Sequence, residues 1–212
     1  MNEKAPQSGS AVPVAPSLAD YRPFSVAEEK VVAHLQTGDF DRLGDGLRPE
    51  NEDPERRVRA DLLRHLILGN DGYRLHEKGL RLTGAWITGI LDLEGCRIPR
   101  DIGLKDCHFE ASPILRSAII DNLFLDGSAL PGLQADRLEA RGCLSLLAAI
   151  VTGEIRLPGA RIGGSIEADG ISIASPDGIA LDADGLETRR GHSAAWCRCA
   201  WWPQSLGGSP WW

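Results

Sequence analysis

A repeat of about eleven residues runs through the middle of the chain and constrains its fold more than any other feature. Each repeat contains a small residue followed two positions later by an apolar one. The pairs are Ala85/Ile87, Cys96/Ile98, Cys107/Phe109, Ala118/Ile120, Ser128/Leu130, Ala149/Val151 and Ala160/Ile162. Their successive spacings are 11, 11, 11, 10, 21 and 11 residues. So short and regular a period predicts a solenoid.

A second series of apolar residues, again two positions apart, lies between these pairs. Its members are Leu80/Leu82, Leu91/Leu93, Ile102/Leu104, Leu123/Leu125, Leu144/Leu146 and Ile155/Leu157, with a weaker one at Pro113/Leu115. Side chains two residues apart point the same way only in an extended chain, so the repeats are short β-strands and not helices. We expect two units, about 22 residues, to close a four-sided coil. Five coils stacked at about 4.8 Å would then give a rod about 24 Å long.

The chain divides into four segments by composition. Residues 1–24 are rich in Pro, Ser and Gly and predict a disordered arm. Residues 25–78 predict a helical N-terminal cap, with one helix beginning at a Ser25/Glu28 capping box and a second beginning at Asp53-Pro54 and ending at Gly69. Residues 79–187 form the β-solenoid, and residues 188–212 form an irregular Trp- and Cys-rich tail.

Three stretches carry a resemblance to known proteins. They are Arg57-Val58-Arg59-Ala60, Gly79-Leu80-Arg81-Leu82-Thr83-Gly84-Ala85 and Leu157-Pro158-Gly159-Ala160-Arg161-Ile162-Gly163-Gly164. The chain resembles bacterial pentapeptide-repeat-like β-solenoids, in a group often labelled membrane-associated oxidoreductases. The resemblance implies an all-β fold, a right-handed quadrilateral β-helix with a small N-terminal helical segment. It also implies that the repeats of related chains continue further, so we interpret the tail as truncated or frameshifted.

Charge and hydropathy exclude several classes of partner. The chain has a formal net charge of −7, which argues against binding nucleic acid through bulk charge. The longest apolar run, Leu144 to Val151, is far shorter than the ~20 residues of a transmembrane helix. The N-terminus lacks the basic-then-apolar pattern of a secretory signal. We therefore expect a cytoplasmic protein, with peripheral contact at the inner membrane as an alternative.

No pattern of reactive residues indicates an enzyme. Cys96 and Cys107 occupy small inward positions on opposite walls and are expected to pack as apolar residues. The five histidines lack the spacing of a metal site, and no nucleophile, acid–base pair or phosphate loop stands out. We predict no catalytic residues, no bound metal and no cofactor.

Five outward residues are candidates for an interaction surface. Trp86 and His108 lie one coil apart on the 22-residue period, so their rings are expected to be neighbours. Ile114, Ile119 and Phe124 are apolar although they alternate with inward apolar residues, and we expect something to cover them. The N-terminal helices are the first candidate, followed by a partner protein or a membrane surface.

The leading hypothesis is a non-catalytic scaffold or protein-interaction module, acting through an unknown protein partner or by self-association. A membrane-associated oxidoreductase is one alternative, based on the family label. An acidic mimic of DNA that binds a DNA-processing enzyme is another, because residues 79–187 hold 9 Arg/Lys against 16 Asp/Glu.

Overall fold

The fold is a β-solenoid with four faces, each a parallel sheet. The computed structural model describes residues 16–69, 75–175 and 178–189, together with a short strand at 198–199. The predicted architecture, with a helical segment before a stack of about five coils, is confirmed. Residues 1–15 of the predicted disordered arm at 1–24, and most of the predicted tail, lie outside the described residues, whereas Leu18–Tyr21 within that arm form a 3-10 turn in which Leu18 is buried.

The four faces, which we call A to D in the order the chain visits them, contain the following strands. Face A holds β1 (Asp41–Arg42), β3 (Leu80–Thr83), β6 (Ile102–Lys105), β9 (Leu123–Phe124), β13 (Leu144–Ser145) and β17 (Ile166–Glu167). Face B holds β2 (Arg57–Arg59), β4 (Trp86–Thr88), β7 (His108–Phe109), β10 (Ala129–Leu130), β14 (Ile150–Val151), β18 (Ser172–Ile173) and β21 (Arg198–Cys199). Face C holds β11 (Leu133–Gln134), β15 (Ile155–Arg156) and β19 (Leu181–Asp182), and is extended by bridges from Asp92 to Ile114 and from Ile114 to Gln134. Face D holds β5 (Arg97–Ile98), β8 (Ile119–Ile120), β12 (Glu139–Ala140), β16 (Arg161–Ile162) and β20 (Glu187–Thr188).

The register between coils confirms the 22-residue period. On face A, Leu80, Ile102, Leu123, Leu144 and Ile166 are successive partners, at steps of 22, 21, 21 and 22 residues. The last coil is longer, because Arg161 pairs with Glu187, a step of 26 residues. The extra length lies between β18 and β19, where the chain leaves the strand pattern.

Alternation along each strand sorts residues into a core and a surface. On face B, Ile87 is fully buried whereas its neighbour Trp86 is partly exposed. On face D, Ile120 is fully buried whereas its neighbour Ile119 is partly exposed. The predicted inward residues therefore form one continuous apolar core along the stack.

Two opposite corners of every coil require a left-handed backbone. The residue with positive φ at the corner between A and B is Gly84, Asp106, Gly127, Ala148 or Gly170 in successive coils. At the corner between C and D it is Gly95, Ser117, Arg137, Gly159 or Gly185. Left-handed backbone is unfavourable for residues with a Cβ, which explains why glycine occupies six of these ten positions.

Two helices cover the N-terminal end of the stack. They are α1 (Val26–His34) and α2 (Ala60–Leu68), preceded by a 3-10 turn at Leu18–Tyr21, and they pack on β1 and β2. The predicted Ser25/Glu28 capping box begins α1, and Gly69 ends α2 in a left-handed conformation with φ 69°. Packing of the helices on β1 and β2 covers the end of the stack, which would otherwise be open.

A buried carboxylate joins α1 to the following segment. Glu28 is 2% exposed and accepts hydrogen bonds from the Ser25 backbone N–H at 2.9 Å and from Arg59, whose side chain reaches it at 2.8 and 2.9 Å. Burial opposes ionisation of Glu28, but these bonds outweigh it and lower the pKa of the carboxyl group. Glu28 therefore holds α1 against the start of α2.

The predicted start of the second helix is wrong. Asp53-Pro54 begins a turn, and Arg57–Arg59 forms β2, which pairs in parallel with β4. Val58 points into the core in register with Ile87, and α2 begins only at Ala60. A strand prevails here over the local helix signal because it adds a rung to face B and places Val58 in the core.

Candidate interaction surfaces

Face B carries a stacked aromatic pair. Trp86 on β4 is the register partner of His108 on β7, and their ring centroids lie 3.8 Å apart with an interplanar angle of 8°. Adjacent parallel strands bring outward side chains in register to about this spacing, so the ladder itself creates the stack. The Trp86 indole N–H donates to the Glu110 carboxylate at 2.9 Å, which fixes the ring along the face.

The surroundings of His108 favour a neutral imidazole. Burial lowers its pKa, Glu110 opposes that shift, and Arg48 adds to it. Arg48 is held nearby because its guanidinium donates to the Gly127 carbonyl. The described residues supply no hydrogen-bond partner to the His108 ring. The arrangement therefore presents a neutral, aromatic contact surface with an imidazole able to hydrogen-bond a partner.

The other three predicted surface residues are not brought together. Ile114 lies on face C, Ile119 on face D and Phe124 on face A, and each is partly exposed. Since they stand on three faces, no single element covers them, and the helices pack instead on β1 and β2. The N-terminal helices, which were the first candidate cover, make their main contacts elsewhere, and cover by a partner protein or a membrane surface stays a prediction.

Phe124 has a local cover. The Lys105 ammonium group lies 5.3 Å from the centre of the Phe124 ring and 5.5 Å from that of Phe40, a residue just before β1. The same amine pairs with Asp126 at 2.7 Å. An ammonium group close to both rings and paired with a carboxylate explains why an aromatic residue is stable in this outward position.

Face D contains a groove. Of the five predicted surface residues, Ile119 is the one that lines it. The groove has a volume of ≈ 1020 Å³ and crosses the five strands of face D. The charged residues that line it are Arg97, Glu139, Arg141, Arg161, Glu187 and Arg189. Four arginines against two glutamates make this surface locally positive on a chain with a net charge of −7.

A signal for this groove was present in the sequence. Arg97, Ile119, Glu139, Arg161 and Glu187 follow one another in register up face D. The outward positions of successive coils are found by counting along the same 22-residue period that locates the core. Those positions hold Arg97 and Arg161, and the positions two residues further along hold Arg141 and Arg189, all of which the segment total of Asp and Glu conceals.

The buried cysteine behaves as a small apolar residue, as predicted. Cys107 is fully buried, which raises the pKa of its thiol to about 12, and its Sγ lies 3.1 Å from the Lys105 carbonyl oxygen. Cys96 is partly buried against the same core. Within the described ranges, no group of three or more His, Cys, Asp or Glu residues is placed to hold a metal ion.

Among the described residues, no helix combines the length and the apolar character needed to cross a membrane. A comparison of the chain with known protein families, with curated proteins and with solved structures yields no match.

Proposed function

We propose that this chain is a non-catalytic scaffold or protein-interaction module whose contacts are made by faces B and D. The observation that carries the proposal is that two opposite faces of one stack present different outward chemistry. Face B offers the Trp86/His108 pair, and face D offers an arginine-rich groove. A stack of parallel strands keeps such surfaces at a constant separation, which suits a protein that holds partners in position.

The inward residues support the same proposal. Their side chains are used in the core, and the buried polar residues among them satisfy backbone groups. Ser128, for example, donates to the Leu104 carbonyl at 2.8 Å and accepts from the Cys107 N–H at 3.0 Å. The surface is then the place where chemistry varies from coil to coil. The likeness to pentapeptide-repeat solenoids belongs to this proposal and is supported by the four-sided coil.

The groove favours a scaffold over a mimic of DNA. A mimic needs a continuous run of negative charge to replace phosphates. On face D, the carboxylates of Glu139 and Glu187 are interrupted by Arg161, which lies 3.7 and 3.3 Å from them. This alternation favours specific contacts with a protein over attraction to any basic surface.

Site-specific photo-crosslinking in the cells that make the protein tests the proposal. A photoreactive amino acid replaces Ile150 on face B, Ile119 on face D or, as a control, Gln134 on face C. We expect discrete adducts from faces B or D that the control position does not give, each reproduced with the purified partner. Identical adducts from all three positions, or none from any, would contradict the scaffold function.

A further inference from the structure

The groove on face D is lined by backbone alone at Gly163. Arg141, Gly163 and Arg189 stand one above another in successive coils, because Gly163 N–H bonds to the Ala140 carbonyl and Arg189 N–H to that of Ile162. A Cβ on Gly163 would lie 2.1 Å from the Arg141 carbonyl oxygen, so no side chain fits there. Because the Arg141 carbonyl fills that space, residue 163 contributes only its backbone to the wall of the groove, between Arg141 and Arg189 and beside Arg161 on the same coil.

The arginines around Gly163 are not fully neutralised. Arg161 pairs with Glu139 and Glu187, and Arg141 pairs with Asp121 at 3.2 Å. These are solvent-exposed pairs, which hold their partners weakly. Arg97 and Arg189, at the two ends of the groove, form no ion pair with any other residue of the described ranges. Arg97 and Arg189 are therefore the guanidinium groups that we expect to bind an external anion.

The dimensions of the groove indicate an extended ligand. From Arg97 to Glu187 there are four coil steps of about 4.8 Å, or about 19 Å, the length of about six residues of extended chain. Ile119 and the partly exposed Leu186 add apolar surface between the charges. A small anion reaches only one end of this surface.

Charge order along the groove selects the class of ligand. Glu139 and Glu187 lie between or beside the arginines and would repel a continuous phosphate backbone. A peptide can place its carboxylates opposite arginines and its neutral residues opposite the glutamates. Guanidinium groups bind carboxylates with two parallel hydrogen bonds, which adds geometric selectivity.

We propose that the face D groove binds an extended, acidic segment of a partner protein, with carboxylates on Arg97, on Arg189 and on the arginines beside Gly163. This inference rests on the proposed interaction function and names the partner chemistry for one of its two faces. The occupant is a peptide in which acidic residues alternate with neutral or apolar ones.

Fluorescence anisotropy with a synthetic peptide tests the inference. The probe is a fluorescein-labelled peptide of about eight residues in which glutamate alternates with serine and leucine, and the control peptide carries glutamine in place of glutamate. We expect saturable binding of the first peptide alone to the full chain. The double variant Arg97→Gln/Arg189→Gln should weaken binding by about tenfold or more, because charge-assisted hydrogen bonds are lost.

Two matched variants keep the result interpretable. Arg42→Gln/Arg57→Gln removes the same charge from exposed positions on faces A and B and should leave the affinity within about twofold. Glu139→Gln/Glu187→Gln should tighten binding several-fold, since it removes repulsion within the groove. Circular dichroism melts establish that each variant is folded.

No binding of the acidic peptide, or an equal loss in the Arg42/Arg57 variant, would overturn the inference. Either result leaves the scaffold function standing if crosslinking from face B identifies a partner. Conversely, groove-dependent peptide binding with no crosslinked partner in cells supports the acidic-segment inference and contradicts the scaffold function.

Discussion

Faces B and D are built on equivalent ladders yet present opposite chemistry. Both run through the same five coils, and both bury an isoleucine at the equivalent inward position, Ile87 on B and Ile120 on D. Outward, face B stacks Trp86 on His108, whereas face D alternates arginine with glutamate. The stack thus restricts one side of each strand and leaves the other free to diverge.

The difference teaches where function can reside in such a fold. An inward residue must fit the coil above and the coil below, so its size is set by neighbours on both sides. An outward residue meets the solvent and one ladder, and its replacement changes the surface without changing the backbone. Predictions that separate the two sides of the strands therefore test the comparison directly.

The largest expected effect comes from the core shared by the two faces. Ile87→Ala and Ile120→Ala each remove a fully buried side chain and should each lower the free energy of unfolding by about 3 kcal/mol. Chemical denaturation monitored by circular dichroism measures both. The outward neighbour provides the control, since Ile119→Ala should cost under about 1 kcal/mol. A large loss on one face and a small loss on the other would contradict an equivalent core.

A smaller effect distinguishes the outward sides. Trp86→Ala removes a ring stacked on His108 and an N–H bonded to Glu110, and should lower the free energy of unfolding by about 1–2 kcal/mol. On face D, Arg161→Ala should change it by under about 0.5 kcal/mol, because its pairs are exposed. Equal losses in the two variants would show that the outward side chains of faces B and D contribute equally to the free energy of unfolding, which would contradict this prediction.

Much of this fold was predictable because the inward side of a solenoid repeats. The spacing of pairs such as Ala85/Ile87 is enough to predict the repeat period, the extended conformation of the strands and the residues of the core. The start of α2 was not predictable in the same way. Asp53-Pro54 is a good local helix signal, and only pairing with β4, a contact between distant parts of the chain, makes Arg57–Arg59 a strand.

The candidate surfaces also have a part that the repeat period predicts and a part that it does not. The neighbouring positions of Trp86 and His108 followed from the period alone, whereas their 3.8 Å stack and the Glu110 hydrogen bond depend on rotamers. The charges of the groove could have been found by counting along the period, whereas the backbone wall at Gly163 depends on the stacking of Arg141, Gly163 and Arg189 in three coils. Local sequence near Gly163 looks like any other corner of the repeat.

The corners beside the two faces should respond alike to glycine. Ala148, at the corner before face B, has φ 52°, which costs a residue with a Cβ about 1–2 kcal/mol. After the entropy of the more flexible unfolded chain is subtracted, Ala148→Gly should stabilise the fold by about 0.5–1 kcal/mol. Arg137→Gly, at the corner before face D with φ 54°, should act in the same direction but less, because its bond to Ser117 is lost.

Thermal unfolding measures this effect, and a neighbouring alanine is the control. Ala149 is fully buried and lies outside the set of residues with positive φ, so Ala149→Gly should lower the melting temperature while Ala148→Gly raises it by a few degrees. A fall in melting temperature for Ala148→Gly would show that the positive φ at this corner does not destabilise the fold.

The smallest expected effect is a pH response confined to face B. Burial and Arg48 lower the pKa of His108 below its usual value near 6.5, so the unfolded chain takes up a proton before the folded one does. Its contribution to stability is therefore complete above about pH 6.5 and is lost as the pH falls through the folded pKa. Denaturation curves between about pH 7.5 and 5 measure this loss of stability. In the His108→Gln variant, which keeps a polar side chain of similar reach that does not titrate, stability should fall less with pH than in the native chain. An Arg161→Gln control on face D should keep the full pH dependence, because guanidinium does not titrate in this range. If the two variants had the same pH dependence of stability, the His108 imidazole would not be the group whose protonation destabilises the fold.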